Sequence, residues 1–158
     1  MQAQEIFDKL KEKFNDAILE LKTDAPSDPI IFINGSELFN IAQFMRDDEG
    51  LDFDYLVDLI ALDLGENLGA VYIFYSMKHK HRIALKTIIP KENPILPTLE
   101  NLWRTADWLE REAWDLMGIK FEGHHNLIRI LNPYDWEGHP LRKDYVTPEF
   151  YHGMKVPY

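Results

Sequence analysis

Residues 69–89 read GAVYIFYSMKHKHRIALKTII and contain the two most strand-like runs of the chain. Both runs, residues 69–77 and 82–89, are rich in the β-branched and aromatic residues that favour strands, and a short basic turn joins them. Residues 54–64, just before them, alternate in part and are rich in aliphatic side chains. Because strands that follow one another in sequence often pair in space, we predict a three-stranded antiparallel meander.

Two amphipathic helices are predicted before this meander. Residues 3–14 place apolar side chains on one helical stripe and charges on the opposite side. Asn34 is the predicted cap of the second helix, and Glu37 would complete a capping box three residues later. The side chains that we expect this second helix to bury are Leu38, Ile41, Ala42 and Met45.

The chain after the meander divides into a third helix and a tail. Thr98 follows Pro97 as a predicted N-cap, and the helix is expected to run to about residue 117. Gly118 is the expected residue just past the helix end, where a left-handed conformation is common. Beyond it the periodicity fades, apart from a short strand predicted at 127–131.

The order of these elements predicts an α+β fold. Short strands at 17–22 and 30–33, with a turn over 24–29, complete the pattern of the N-terminal part. We predict a small two-layer domain over residues 1–118, in which an antiparallel or mixed sheet carries helices mainly on one face. Residues 119–158 are predicted to form an extended irregular docking tail that is not an independent domain.

Composition excludes several classes of function. The chain of 158 residues fits one domain, and its formal net charge of −10 argues against nucleic acid as a main partner. Because it contains no cysteine, it cannot form disulfides, use a thiolate nucleophile or ligate an iron–sulfur cluster through thiolates. It also lacks an apolar run near the ~20 residues of a membrane span, so no direct span is predicted.

No catalytic, cofactor-binding or metal-binding set is predicted. The sequence has no Ser-His-Asp signature, no GxGxxG and no P-loop, and no pair of carboxylates stands in an apolar context of the kind that would raise a pKa. His79 and His81 are expected at a solvated hairpin tip. His124, His125 and His139 could offer zinc ligands, but adjacent ligands on an irregular loop give poor geometry. A stand-alone metal hydrolase built on these three, or a free-standing adaptor, is the alternative of another class.

Glu110, Arg111 and Glu112 would point in different directions on a helix, because successive helical residues lie about 100° apart. At least one of the three charges should therefore face protein. A buried arginine needs carboxylate partners to offset its lost hydration. For Arg111 the candidates are Asp107 and Asp115, through i,i+4 pairs within the helix, or an acid of a partner protein.

The tail has the composition of an interface. Residues 140–145, Pro-Leu-Arg-Lys-Asp-Tyr, combine a rigid turn with the arginine and tyrosine that are enriched at interface hot spots. The aromatic residues of the tail are Tyr134, Trp136, Tyr145, Phe150, Tyr151 and Tyr158. In solvent they would expose a large apolar patch, so we expect them to pack on the domain or on another subunit.

Two blocks of the C-terminal half resemble a known family signature. The first reads EREAWDLMG over residues 110–118 and continues as IKFEGH to residue 124; the second reads RILNP over 129–133 and WEGHPLRKDY over 136–145. Together they resemble the C-type (30 kDa) subunit of respiratory complex I, the proton-pumping NADH:quinone oxidoreductase. The resemblance covers residues 98–151 closely, and it departs at His125, where the family usually has proline.

This resemblance implies a cofactor-free structural subunit of the peripheral arm. It implies packing on the 49 kDa-type (D) subunit near the quinone site and on neighbouring iron–sulfur subunits, with the clusters, FMN and quinone held by those partners. The expected location is the cytoplasmic side of a bacterial inner membrane. The equivalent subunit of a membrane-bound hydrogenase or a photosynthetic NDH complex is the alternative within the family. The implied partner-binding residues are Glu110, Arg111, Glu112, Asp115, Gly118, Arg129, Trp136, Pro140, Leu141, Arg142, Lys143, Asp144 and Tyr145.

Overall fold

The structure is a computed structural model that describes residues 1–24 and 28–156. A five-stranded mixed sheet forms its centre, in the order β1-β2-β5-β4-β3. Its strands are β1 (Ile18–Lys22), β2 (Ile30–Ile33), β3 (Tyr55–Asp63), β4 (Asn67–Tyr75) and β5 (Arg82–Pro90). The pair β2/β5 is parallel, while β1/β2, β3/β4 and β4/β5 are antiparallel. The predicted meander and both short strands are therefore confirmed, and the turn predicted at 24–29 lies largely outside the described residues.

Three helices share one hydrophobic core with the sheet. They are α1 (Ala3–Phe14), α2 (Leu38–Asp47) and α3 (Thr105–Met117). Alternate residues of β4, from Leu68 to Phe74, are fully buried in this core together with Ile6 of α1 and Ala106 of α3. Ile73, which points to the opposite face of the sheet, is only half-buried. This arrangement confirms the predicted α+β fold with helices mainly on one face.

The helix starts differ from the predictions. Asn34 does accept a hydrogen bond from the Ser36 backbone N–H at 3.2 Å, but it caps a single 3₁₀ turn that precedes α2. The backbone N–H of Asn34 donates to the Ala17 carbonyl instead of to Glu37, so the predicted capping box is wrong. The third helix begins at Thr105, not after Thr98, because residues 98–104 form turns that pack Trp103 into the core.

The chain on either side of α3 forms a second, short sheet that the sequence pattern did not predict. Here β6 (Ile95–Pro97) pairs in parallel with β7 (Lys120–Glu122). Ile119 and Phe121, the first apolar residues after α3, are buried in the main core. The predicted strand at 127–131 is wrong, since these residues are irregular, and the last elements are β8 (Phe150–Tyr151) and β9 (Met154–Lys155), which pair antiparallel. The domain boundary at residue 118 stays a prediction.

Candidate partner interface

Asp115 on α3 is the point at which the tail attaches to the domain. Its side chain is fully buried and accepts the backbone N–H groups of Ile130, Leu131 and Asn132 at 3.1, 2.8 and 2.8 Å. The Asn132 amide and the Arg129 guanidinium donate to its other oxygen at 2.9 and 2.7 Å. One carboxylate thus accepts five hydrogen bonds from four consecutive residues. These bonds fix the path of a segment that forms no backbone hydrogen-bond ladder with another strand.

The pKa of Asp115 reflects the balance between burial and these donors. Burial alone would raise the pKa of this carboxyl. Hydrogen bonds from Asn132 and Arg129 favour the charged form more strongly and hold the pKa well below its usual range. Asp115 is therefore a carboxylate at every physiological pH, and the Arg129 guanidinium, one-tenth exposed, is its counter-ion.

The C-terminal end of α3 is covered by a second part of the tail. Gly118 ends the helix in the left-handed region, with φ of 76°, as predicted. Leu141 donates its backbone N–H to the Leu116 carbonyl at 3.0 Å, and Arg142 donates Nε–H to the Met117 carbonyl at 2.7 Å. A Cβ at position 118 would lie only 2.5 Å from the His139 ring and 2.6 Å from the Arg142 guanidinium. Glycine is therefore required here both by the backbone angle and by the close approach of the tail.

The segment around residue 143 is tied to the meander by an ionic contact. Asp63, near the end of β3, accepts the backbone N–H of Lys143 and the Lys91 ammonium, both at 2.8 Å. Lys91 also pairs with Asp144 at 3.0 Å. The Lys91 contact, aided by the Lys143 N–H, holds the pKa of Asp63 well below its usual range. Asp63 and Lys91 were absent from the predicted site, because no local pattern links them to the tail, and the Lys143 N–H lies 80 positions along the chain from Asp63.

Aromatic residues of the tail pack on one another. Trp136 donates its indole N–H to the Tyr145 hydroxyl at 3.0 Å, and its ring lies 5.1 Å from that of Tyr151. Tyr151 in turn donates to Asp135 at 2.9 Å. Trp136 and Tyr145, which were predicted to anchor a partner, thus have an intramolecular contact as well, and their binding of a partner stays a prediction. Tyr158 lies outside the described residues.

Glu110 is the largest departure from the expected electrostatics. It is fully buried and accepts the Leu99 backbone N–H at 2.7 Å and the Thr98 hydroxyl at 2.5 Å. Burial raises its pKa to about 8, against the opposing effect of these two donors. The sequence showed no pair of carboxylates in an apolar context, and the burial of this single carboxyl was not predicted. Thr98 was predicted as the cap of α3, and its hydroxyl instead serves this carboxyl and the backbone N–H of Glu100.

Arg111 and Glu112 lie on the outer surface of α3. Arg111 donates to the carbonyls of Ile128 and Arg129, each at 3.2 Å, and its guanidinium lies 5.6 Å from the Trp108 ring. The predicted i,i+4 pairs of Arg111 with Asp107 and Asp115 are absent among the ion pairs of the described residues, because Asp115 serves Arg129. Glu112 is exposed. Of the ERE triplet, then, Glu110 faces the core, Arg111 holds the tail, and Glu112 faces solvent.

Large apolar side chains remain exposed along this tail. The exposed fraction is 92% for Tyr134 and 83% for Val146, which is high for residues of a segment held by so many hydrogen bonds. The others are Ile128, Leu131, Leu141, Phe150 and Met154. Pro140 is half-buried beside Leu141. A tail that is fixed on its inner side and apolar on its outer side has the character of a docking surface.

Solved structures that share this α+β fold include a fragment of Nqo5 and a chain of an archaeal respiratory membrane complex. A trypsin-resistant fragment (1–134) of Nqo5 has a TM-score of 0.65 and 27% identity, and the match covers 80% of this chain and 100% of that fragment. A chain of the membrane-bound sulfane sulfur reductase, an archaeal respiratory membrane complex, has a TM-score of 0.75 over 92% of this chain and 86% of its own, at 21% identity. The fold is therefore that of subunits of respiratory complexes.

The sequence itself defines the family. The chain belongs to the family of the respiratory-chain NADH dehydrogenase 30 kDa subunit, which it matches over residues 31–151. The C-type subunit of NADH-quinone oxidoreductase from Chloroherpeton thalassium is 48% identical over 152 residues, covering 94% of this chain and 63% of the relative. The protein of the same name from Chlorobium phaeobacteroides is 41% identical over 160 residues, covering 99% and 96%. This chain thus spans less than two thirds of the first relative and nearly all of the second.

Within residues 1–24 and 28–156, no helix has both the length and the apolar character that crossing a membrane requires.

Proposed function

We propose that this chain is the C-type structural subunit in the peripheral arm of a proton-translocating NADH:quinone oxidoreductase. Family membership and the names of the two relatives support this role. In the proposal, α3 and the tail clamp a 49 kDa-type (D) subunit near the quinone site, and neighbouring iron–sulfur subunits complete the contact.

The main support for the proposal is that one side of the tail is bound to the domain while the other side exposes large apolar side chains. Asp115 and Asp63 accept hydrogen bonds from its inner side, and Gly118 allows it to approach the helix end closely. Because the tail is already ordered in this way, binding of a partner to its outer side costs little further chain entropy. Tyr134 and Val146 lie on that exposed side. Interfaces gain most of their free energy from a few such large side chains that enter pockets of a partner.

The proposal assigns the chemistry to partner subunits. Without cysteine, this chain supplies no thiolate for an iron–sulfur cluster, and the proposal assigns the clusters, FMN and quinone to its partners. Its place would be peripheral, on the cytoplasmic side of a bacterial inner membrane. The equivalent subunit of a related complex is the alternative. The archaeal sulfane sulfur reductase chain shares the fold alone, so the fold does not distinguish between these complexes.

Purification of a tagged full chain from its native membranes tests this function. We expect a 49 kDa-type subunit and iron–sulfur subunits to co-purify, and the accompanying input subunits to identify the electron donor. Substituting Tyr134→Ala with Val146→Ala should lower the recovery of these partners, because hot-spot residues contribute about 2 kcal/mol or more each. The melting temperature of the isolated chain should change little, since both side chains are exposed.

Leu19→Ala is the matched control. Leu19 is 59% exposed on β1, at the edge of the sheet, and its truncation should leave recovery unchanged. If the Leu19→Ala control and the tail variant lost partner subunits to the same extent relative to the wild type, the loss would not depend specifically on the tail. A free monomer from the soluble fraction, with none of these partners, would contradict the proposed function and favour a stand-alone protein.

A further inference from the structure

Four possible metal-ligating side chains meet beside the first turn of α3. Glu100 lies in the turns after β6, Asp107 on α3, and His124 and His125 in the loop after β7. One nitrogen or oxygen atom from each can be chosen so that all lie within 4.8 Å of one another. His139, which with His124 and His125 made up the alternative zinc set, contacts the Asp115 carbonyl at 3.0 Å and is not part of this group.

The hydrogen bonds assign different roles to the two histidines. Nδ1 of His124 accepts the Asn126 backbone N–H at 3.1 Å, so in the neutral ring the proton lies on Nε2. That Nε2 donates to the Asp107 carbonyl at 3.1 Å and lies 3.3 Å from Asp107 Oδ1 and 3.6 Å from Glu100 Oε2. The Nε2–H of His124, whose side chain is fully buried, therefore serves the Asp107 backbone and lies near both acidic side chains without a hydrogen bond to Asp107 Oδ1. His125 is exposed, and its Nδ1 lies 2.6 Å from Glu100 Oε2.

The carboxylates have capacity for a further partner. Asp107 Oδ1 is buried and has no hydrogen-bond partner among the described residues. The Glu100 side chain is only 9% exposed. Both line an open cleft of about 640 Å³, together with Arg104, Trp108 and His125. Glu110 lies close behind, since its Oε2 is 4.0 Å from His124 Nε2, but burial raises its pKa to about 8, so the negative charge at the cleft is that of Glu100 and Asp107. A divalent cation would offset this concentration of negative charge.

We propose that His125 Nδ1, Glu100 and Asp107 bind one zinc-type divalent ion at the mouth of this cleft. Water from the cleft would supply the fourth ligand, and His124, through its contact with the Asp107 backbone carbonyl, would hold the start of α3 beside the loop after β7. On binding, the His125 ring moves away from Glu100 and binds the ion through an unprotonated Nδ1, while its one ring proton stays on Nε2. The ion joins the turns after β6, the start of α3 and the loop after β7, and so braces the helix that carries the tail.

The donor set selects the class of ion. One imidazole with two carboxylates suits zinc and the neighbouring transition metals cobalt and nickel. Magnesium and calcium prefer six or more oxygen ligands and should bind far more weakly. The ligand atoms of a tetrahedral zinc site lie about 3.4 Å apart, as follows from bond lengths of about 2.0–2.2 Å. Among the proposed ligands, one atom each of His125, Glu100 and Asp107 lies within 4.8 Å of the others, and the 2.6 Å contact between His125 Nδ1 and Glu100 Oε2 must open by about 1 Å to admit the ion.

Titration of the metal-free full chain with zinc, against a chromophoric chelator, tests this site. We expect one saturable site, a raised melting temperature, and a cobalt-loaded form with the visible absorption of a four-coordinate ion. His125→Ala and Asp107→Asn should each weaken zinc binding about tenfold or more. His152→Ala is the matched control, because His152 is also exposed and pairs with a carboxylate, Asp135, at 2.7 Å. Its zinc affinity should equal that of the wild type.

Three results would overturn the proposal. The first is the absence of saturable binding at one ion per chain. The second is unchanged zinc affinity in both His125→Ala and Asp107→Asn, with melting curves showing that the variants are folded. The third is equal binding of magnesium, which would make the cluster a general site of negative charge. None of these results bears on the recovery of partner subunits, so failure of the metal site and failure of the proposed function can be told apart.

Discussion

Replacing Asp115 with asparagine should release the tail while leaving the sheet folded. The amide is nearly the same size as the carboxylate, but it is neutral and turns an N–H group toward donors. Five hydrogen bonds of 2.7–3.1 Å are affected, and all of their donors lie in residues 129–132. The loss should therefore appear as local opening of the tail, not as unfolding of the domain.

The magnitude follows from the buried pair. A hydrogen bond to a charged group contributes about 1.5–3 kcal/mol, and removing one member of a buried ion pair costs about 3–5 kcal/mol. The contributions of one network are not additive, so we expect a total of about 3–5 kcal/mol. Little discount for solvent applies, because the Asp115 side chain is fully buried and that of Arg129 is 10% exposed. The fraction of open tail should rise by a factor of about 10² to 5 × 10³.

Limited digestion with trypsin measures this opening. Arg129 and Arg142 are both half-buried by contacts of the tail, and cleavage after them requires the tail to open. When opening and closing are fast relative to cleavage, the rate of cleavage is proportional to the open fraction. Urea unfolding of the same variant, followed by far-ultraviolet circular dichroism, reports on the sheet and should change much less.

Glu112→Gln is the control for the loss of one negative charge from α3. Glu112 lies one turn before Asp115 and is exposed, so its substitution should change stability by less than about 0.5 kcal/mol. Wild-type rates of cleavage after Arg129 and Arg142 in Asp115→Asn would refute the conclusion that this carboxylate holds the tail.

Two further substitutions test the buried carboxyl and the helix end. In the folded chain burial raises the pKa of Glu110 to about 8 from 4.5, so the folded state binds this proton more tightly and the unfolding free energy falls as pH rises between these values. Glu110→Gln keeps a donor and an acceptor toward Thr98 and Leu99 and should abolish this fall, which amounts to about 3–4 kcal/mol between pH 5 and pH 8 in urea unfolding. An unchanged difference between the two pH values would contradict it. Gly118→Ala combines backbone strain with a clash and should lower the unfolding free energy by about 2–4 kcal/mol. Gly65 also has a positive φ but open space around it, so Gly65→Ala should lower the unfolding free energy by only about 1 kcal/mol in the same assay. Equal losses in the two variants would rule out the clash.

Local patterns predicted the parts of the fold that are stabilised locally. Helix α1, the buried stripe of α2 and the three strands β3, β4 and β5 follow from the spacing of apolar residues, because each element buries one face against a shared core. Gly118 was predictable as well, since a left-handed residue at a helix end favours glycine. The family signature over residues 110–145 identified the class of protein, and the match over residues 31–151 confirms it.

His81 and Thr98 show where local pattern was insufficient. His81 was expected in solvent at a hairpin tip, yet it is buried, and its Nε2 lies 2.7 Å from the Leu51 carbonyl. Thr98 has the sequence context of a helix cap, but the carboxyl of Glu110 competes for its hydroxyl. In both cases the deciding partner lies 12 or more residues away, so the choice depends on how the elements pack.

Periodicity and short ordered motifs were enough to establish the class of fold, the meander, the amphipathic helices and the family, because all of these can be recognised within a short stretch of chain. The roles of the charged residues became visible only in the packed molecule. Asp115 binds the tail, Glu110 enters the core, and Glu100 meets His125, through contacts that span 11–25 residues. A charge can pair with any opposite charge or dipole within a few ångströms, and the packing of distant segments selects which one that is.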